Sequence, residues 1–285
     1  MNKSELLEKY SANLSGSKGH NHYMSYAKDF LSYVKDLDKK SITKYMEHLR
    51  RRGMSPGTVN FAFRVVRRLF IVNGIKWPFN RGESPLISQR DEDKPALSID
   101  YIRTMIDAAK DKRLPANESA FLSLSTIYGL RREEMVNLKP QDISFRNNTI
   151  YVATLKHGRQ RYHLIPPEIK PYLQKHDFNT KYSLTIMSQM FWRIVNHCEL
   201  VDLKQHRLGW HTIRRSLLSG LIDNGLNPFA AGSFMRWKGT TGVLAMPARY
   251  YSNVVIGAEG KETVIGEAES DREIFEKHPL LELWR

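Results

Sequence analysis

Apolar residues recur at three- and four-residue steps along most of this chain, and that spacing predicts helices. Tyr23, Tyr26, Phe30, Val34 and Leu37 form one such face. Ser41 can cap a second helix, with Ile42, Tyr45, Met46 and Leu49 inward. Ser55-Pro56 opens a third, a capping hydroxyl followed by a proline in the first turn. That helix would bury Val59, Phe63, Val66 and Phe70. Further on, Ser98 caps a helix with Ile102, Met105, Ile106 and Ala109 inward. A more apolar helix carries Phe121, Leu124, Ile127 and Tyr128, breaks at Gly129 and restarts at Arg131-Arg132-Glu133-Glu134-Met135. The period then changes. The runs 149–155 and 161–166 are β-rich and flank a five-residue loop containing Gly158, the pattern of a β-hairpin. Helical spacing returns at Leu184, Met187, Phe191, Ile194 and Val195, again from His211 to Asp223 before Asn224-Gly225, and from Pro228 to about Trp237.

This pattern predicts a mainly α protein with a small antiparallel β-sheet, divided into two domains. Residues 1–79 read as a small helical bundle. Residues 80–97 are polar, lack a period and carry Pro85 and Pro95, so they read as a linker. Residues 98–285 read as an α+β domain with a C-terminal tail from about 256.

Charge sharpens the picture. The chain has 285 residues, 44 Lys and Arg against 30 Asp and Glu, and a net charge of +14. A balance that basic argues for a polyanionic partner, nucleic acid before membrane. Residues 1–90 alone carry a net +10. Arg50, Arg51 and Arg52 end the second helix, and Arg64, Arg67 and Arg68 lie on the third, with few acidic neighbours. A solvated face is one reading, and a phosphate-contacting surface is the other and the favoured one. The single cysteine, Cys198, excludes a disulfide framework and a multi-cysteine zinc site. No run approaches the ~18 apolar residues of a membrane span, and the first residues lack a signal-peptide core. The expectation is therefore an intracellular, cytoplasmic protein associated with DNA, with no membrane partner.

No Walker phosphate loop, dinucleotide glycine fingerprint, HExxH helix or nucleophile elbow is present. Four other local patterns stand out. They are Tyr128-Gly129-Leu130-Arg131 followed by Glu134; Lys156 at the hairpin tip with Arg159 and Arg161 behind it; His211-Thr212-Ile213-Arg214; and Trp237 followed by Tyr250-Tyr251. Each alone has a bland explanation as a surface pair, a solvated turn or a core aromatic.

Their order and spacing resemble the tyrosine recombinase (phage integrase) family. HTIRRSLLSGLIDNGLNPFAAGSFMRW is similar without gaps to that family's His-x-x-Arg helix, its Asn-Gly turn and its later His/Trp position, here Trp237. The segment SPGTVNFAFRVVRRLF resembles its helical core-binding domain. The resemblance spans roughly residues 20–255. One departure is visible. The family's better-known members place the tyrosine nine residues after the His/Trp position, where this chain has Met246. Tyr250 and Tyr251 follow an insertion of four or five residues, and Tyr251, with its small polar follower Ser252, is the better match.

The resemblance implies a site-specific DNA recombinase that cleaves and rejoins strands through a 3′-phosphotyrosyl intermediate. It implies catalytic roles for Arg131, Lys156, His211, Arg214, Trp237 and Tyr251, with Tyr250 the alternative nucleophile. Arg131 and Arg214 would hold the phosphate, His211 would assist the tyrosine, Lys156 would protonate the leaving oxygen, and Glu134 would orient Arg131. DNA would be contacted by Arg50, Arg51, Arg52, Arg64, Arg67, Arg68, Arg159 and Arg161. No cofactor or metal is implied. The partners would be double-stranded DNA and further copies of the chain in a tetramer on DNA. The tail either packs on its own domain or docks on a neighbour. Two alternatives share the basic surface: a type IB topoisomerase-like nicking and closing enzyme, and a catalytically silent sequence-specific DNA-binding protein.

Overall fold

The computed structural model describes residues 2–17, 19–80, 82–85, 96–153, 160–205, 208–237, 255–256, 262–263 and 267–285. The chain forms two units, Met1–Lys94 and Pro95–Arg285.

The first unit is a bundle of α1 (Lys3–Asn13), α2 (His20–Tyr33), α3 (Lys39–Arg51) and α4 (Pro56–Val72). Helix α4 is the central member and packs against the other three. Its start follows the sequence pattern, with Ser55 Oγ accepting the Thr58 N–H and Pro56 in the first turn. Val59, Phe63, Val66 and Phe70 are buried with Tyr10, Phe30 and Tyr45. Two boundaries differ from expectation. Asp38, not Ser41, caps α3, and its carboxylate accepts the Ser41 N–H at 2.7 Å. Helix α2 ends at Tyr33 because Val34 turns to extended backbone, so Leu37 reaches the core from outside the helix. Helix α1 has a sparse apolar stripe of Leu6 and Tyr10, too short a pattern to announce itself.

The second unit is built around α6 (Ala116–Tyr128), in which every residue from Glu118 onward is buried. Two of its hydroxyls bond back to the helix's own backbone, Ser123 donating to the Ala120 carbonyl and Thr126 to the Leu122 carbonyl, both at 2.8 Å. Helix α5 (Ile99–Lys110), capped by Ser98, packs on it, as do α8 (Lys170–Gln174), α9 (Leu184–His197) and α10 (Trp210–Asp223). The short helices α7 (Arg132–Val136) and α11 (Pro228–Phe234) flank the site described below.

The sheet runs β1 (Ile143–Ser144), β2 (Thr149–Val152), β3 (Arg161–Leu164), antiparallel throughout. The hairpin pair β2–β3 was legible, and the two-residue β1 was not. A second small ladder pairs β4 (Val255–Ile256) with β5 (Glu262–Thr263). Helix α12 (Glu267–Glu276) lies against β3. From Asp271 on, the tail is part of this unit's own core, with Ile274, Leu280, Leu281 and Trp284 all buried. No described helix is long and apolar enough to cross a membrane.

Candidate functional site

The site begins where α6 stops. Gly129 adopts φ +55°, the left-handed conformation that suits glycine at a helix end. Space demands glycine as well, since a Cβ there would stand 2.7 Å from Met235 Cε and 3.3 Å from Arg214 Cγ. The chain leaves this turn through buried Leu130 and enters α7 with Arg131 as its N-cap. Glu134, one turn on, accepts the Arg131 backbone N–H at 2.8 Å and its guanidinium at 2.7 Å. Burial alone would raise the Glu134 pKa, but Arg236 and Arg131 outweigh it and hold the carboxyl below its ordinary range. The Arg131 side chain stays about one-third exposed (36%), whereas that of Glu134 is only 1% exposed.

Arg214 comes from the first turns of α10 and is 8% exposed. It donates to the carbonyls of Gly129 and, at 2.5 Å, of Met235. The left-handed turn and the segment before Trp237 are thereby tied to one guanidinium. Burial, with Arg236 and Arg131 nearby, pulls its pKa down to about 9, so it remains a cation at neutral pH. His211 precedes it by three residues on the same helix and is exposed.

These groups share an open cleft of about 450 Å³ lined by Arg131, Arg132, Trp192, Trp210, His211 and Arg214, among others. Three residues expected at one site, separated in sequence by up to 83 positions, therefore meet on one surface. Arg132, Trp192 and Trp210 were not anticipated. Arg132 donates to Ser188 Oγ on α9, and Trp210 Nε1 donates to the Met187 carbonyl at 2.6 Å, which pins α10 to α9. Only their adjacency to Arg131 and His211 marked Arg132 and Trp210. Trp237 is 37% exposed, and its backbone is held by the Gly232 carbonyl just after α11. Lys156, Arg159, Tyr250 and Tyr251 lie outside the described residues.

Among the arginines expected to contact DNA, Arg51, Arg52, Arg64 and Arg67 are exposed. Among the described residues, Arg51 and Arg52 have only long ion pairs, to Glu47 at 4.0 Å and to Asp29 at 3.8 Å. Arg50 is half-buried and donates to the Pro85 carbonyl. Arg68 is bonded to Asn13 and lies over the Tyr23 ring. Arg161 is a correction. The register of β3 turns it inward, where it is 5% exposed and paired with Asp271, while its neighbour Tyr162 faces out. A guanidinium so enclosed cannot serve as a DNA-contacting surface group.

The family model described as "Phage integrase family" matches residues 96–245. A curated relative, the tyrosine recombinase XerA of Thermococcus kodakarensis, is 26% identical over 245 residues, covering 78% of this chain and 83% of that protein. Among solved structures, the Tn1549 transposon integrase in complex with transposon right end DNA superposes with a TM-score of 0.63 at 15% identity, covering 95% of this chain and 98% of the other. A lambda integrase tetramer bound to a Holliday junction gives 0.61 at 17% identity, covering 86% and 76%. The family match spans more than half of the chain and includes the cleft. This chain belongs to the phage integrase family of tyrosine recombinases.

Proposed function

We propose that this integrase-family chain is a site-specific DNA recombinase that cuts and reseals strands through a 3′-phosphotyrosyl link. The observation that carries the reading is the convergence of Arg131, Arg214 and His211 on one cleft. Two guanidiniums offer planar paired donors to the non-bridging oxygens of a phosphodiester. With Arg161 and Arg236 behind them, these two make four arginines against two buried carboxylates, Glu134 and Asp271. The set carries an excess of two positive charges, which favours an anion at the cleft.

In the proposed step the oxygen of Tyr251, or of its neighbour Tyr250, attacks phosphorus. A bond forms from the tyrosine oxygen to phosphorus, and the bond to the 5′-oxygen breaks. His211 takes or shares the tyrosine proton, since a phenol with pKa near ~10 is protonated at neutral pH. Lys156 gives a proton to the leaving 5′-oxygen. Trp237 supplies an indole N–H to the phosphate. Reversal by another strand's 5′-hydroxyl rejoins the DNA. The guanidiniums carry the charge stabilisation, so cleavage is expected to proceed in EDTA. Assembly as a tetramer on DNA is proposed from the likeness to the junction-bound lambda integrase.

The test is a covalent trap. The chain is mixed with a random duplex library carrying nicks, without metal, then denatured, and adducts are isolated. Peptide mass spectrometry locates the modified residue and sequencing reads the preferred site. An adduct on Tyr251 or Tyr250, lost in Arg214→Ala while binding persists, is expected. Salt-sensitive binding with no adduct would favour the silent DNA-binding reading. An adduct with DNA relaxation but no recombinants would favour the topoisomerase-like one.

A further inference from the structure

We propose that Arg236 is a positioning residue for Arg131, and that Asp271 of the C-terminal helix steadies it through His163, so that tail and cleft are joined by one buried hydrogen-bonded chain. The proposal rests on the recombinase reading for its consequence, but the chain itself is independent of it.

Arg236 is fully buried and adopts φ +60°, a left-handed conformation that is costly for a residue with a Cβ. Its contacts account for tolerating that cost. One end of its guanidinium donates to Glu134 Oε2 at 3.0 Å and to the Tyr128 carbonyl at 3.2 Å. Glu134 uses its other oxygen for the Arg131 guanidinium at 2.7 Å. Glu134 is thus gripped from behind by Arg236 and grips Arg131 in front. Without the rear contact, the carboxylate would be held only by Arg131 itself, the residue it has to position.

The other end of Arg236 meets His163 Nε2 at 3.0 Å, and His163 Nδ1 lies 3.2 Å from Asp271 Oδ2. Arginine only donates and a carboxylate only accepts, so His163 must be neutral with its proton on Nδ1. Burial holds its pKa near about 4, which agrees. Asp271 also accepts from Arg161 at 2.5 Å and from the Leu164 N–H at 2.9 Å. Asp271 is therefore the anchor that sets the imidazole, and the imidazole receives Arg236. Without the Asp271 carboxylate, Glu134 would be the one carboxylate left among the described members of this hydrogen-bonded network. His163 would lose the acceptor that fixes its proton, Arg236 would lose a fixed partner at that end, and Glu134 would hold Arg131 with less support. A buried chain of this kind gives little net stability over apolar packing, but it specifies one geometry.

The test uses the full-length chain and the nicked duplex that the wild-type protein selects in the covalent trap. Single-turnover adduct formation at saturating DNA is read beside the DNA dissociation constant. Arg236→Met is expected to slow adduct formation by about 30-fold or more with binding within about threefold, and Asp271→Asn by about 5-fold or more. Arg236→Lys should recover part of the rate, since it keeps a charge near Glu134. The double variant Arg236→Met/Glu134→Gln should lose no more than about threefold beyond the worse single variant, the signature of two residues acting as a unit. Losses that multiply in the double variant, or a wild-type rate in Arg236→Met with only a lowered melting temperature, would overturn the proposal. A second readout needs no DNA: the ¹⁵Nε resonance of the Arg131 guanidinium should shift in Asp271→Asn. An unchanged resonance would sink the coupling even if the wild type formed no adduct, and that missing adduct would count against the recombinase reading alone.

Discussion

Glu134 holds Arg131 at two points, its Oε2 on the backbone N–H at 2.8 Å and its Oε1 on the guanidinium at 2.7 Å. The first contact caps α7 and the second aims the side chain, so one carboxylate sets both the start of a helix and the direction of a cleft cation. Glu134→Gln keeps the shape but removes the charge between two arginines. We expect a loss of about 3 kcal/mol in denaturant unfolding, because buried Arg236 loses its counter-charge. Adduct formation should slow more than DNA affinity weakens. Unchanged stability would show that the pair carries no net charge compensation.

Gly129 makes a second prediction, because three constraints meet there. Its left-handed φ, the Met235 thioether within 2.7 Å of any added Cβ, and the Arg214 bond to its carbonyl all act on one peptide. Gly129→Ala should cost about 3 kcal/mol, of which ~1–2 comes from the backbone and the rest from overpacking. Met235→Ala should also destabilise, by opening a cavity. The two together should cost less than their sum, since the second removes the clash created by the first. Additive losses in urea unfolding would mean that the Met235 contact does not limit this turn.

The helical frame was legible because its signals are local. Ser55-Pro56, Ser98 and the stepped apolar faces each occupy one helix and survive in the structure with their caps. The cleft was legible for a related reason. Arg131 stands two residues after a helix break, and His211 and Arg214 lie one turn apart on α10. Arg161, His163, Arg236 and Asp271 were not legible as a group. They lie on β3, after α11 and on α12, and nothing local links them. Strand alternation even misleads, since in Arg161-Tyr162-His163 the aromatic would be placed inside. The structure puts Tyr162 at 53% exposure and both basic residues within, because Asp271 offers them a buried carboxylate. A buried ion pair between distant residues leaves no periodic trace in either segment.

The basic surface of the first unit yields a prediction about salt. Arg64 and Arg67 are exposed on α4, whereas Arg68 is occupied by Asn13 and Tyr23. If the exposed pair meets phosphates, Arg64→Ala and Arg67→Ala should each reduce the slope of log affinity against log salt by about 1. Arg161→Ala should leave that slope unchanged and lower stability instead, since it strips Asp271 of its guanidinium. Fluorescence anisotropy over a salt series separates the two outcomes. A slope change in Arg161→Ala, with none in Arg64→Ala or Arg67→Ala, would reverse the assignment of surface and interior.

Two buried histidines contribute to the acid limb of stability. His278 donates from Nε2 to the Ile127 carbonyl at 2.9 Å and accepts the Leu281 N–H on Nδ1 at 3.0 Å, so it is neutral and both nitrogens are used. Burial lowers its pKa from 6.5 to about 4, and does the same to His163. The unfolded chain takes up these protons first as pH falls. Stability contributed by the neutral rings is therefore whole above pH 6.5, is lost between 6.5 and 4, and changes no further below 4. Each ring adds up to ~1.4 kcal/mol per pH unit to the slope in that window. His278→Gln should cost stability at pH 7 but flatten the slope, so that its unfolding midpoint approaches the wild-type value near pH 4. Parallel curves for the two proteins across this window would show that His278 is already protonated in the folded state and that another group governs the acid limb.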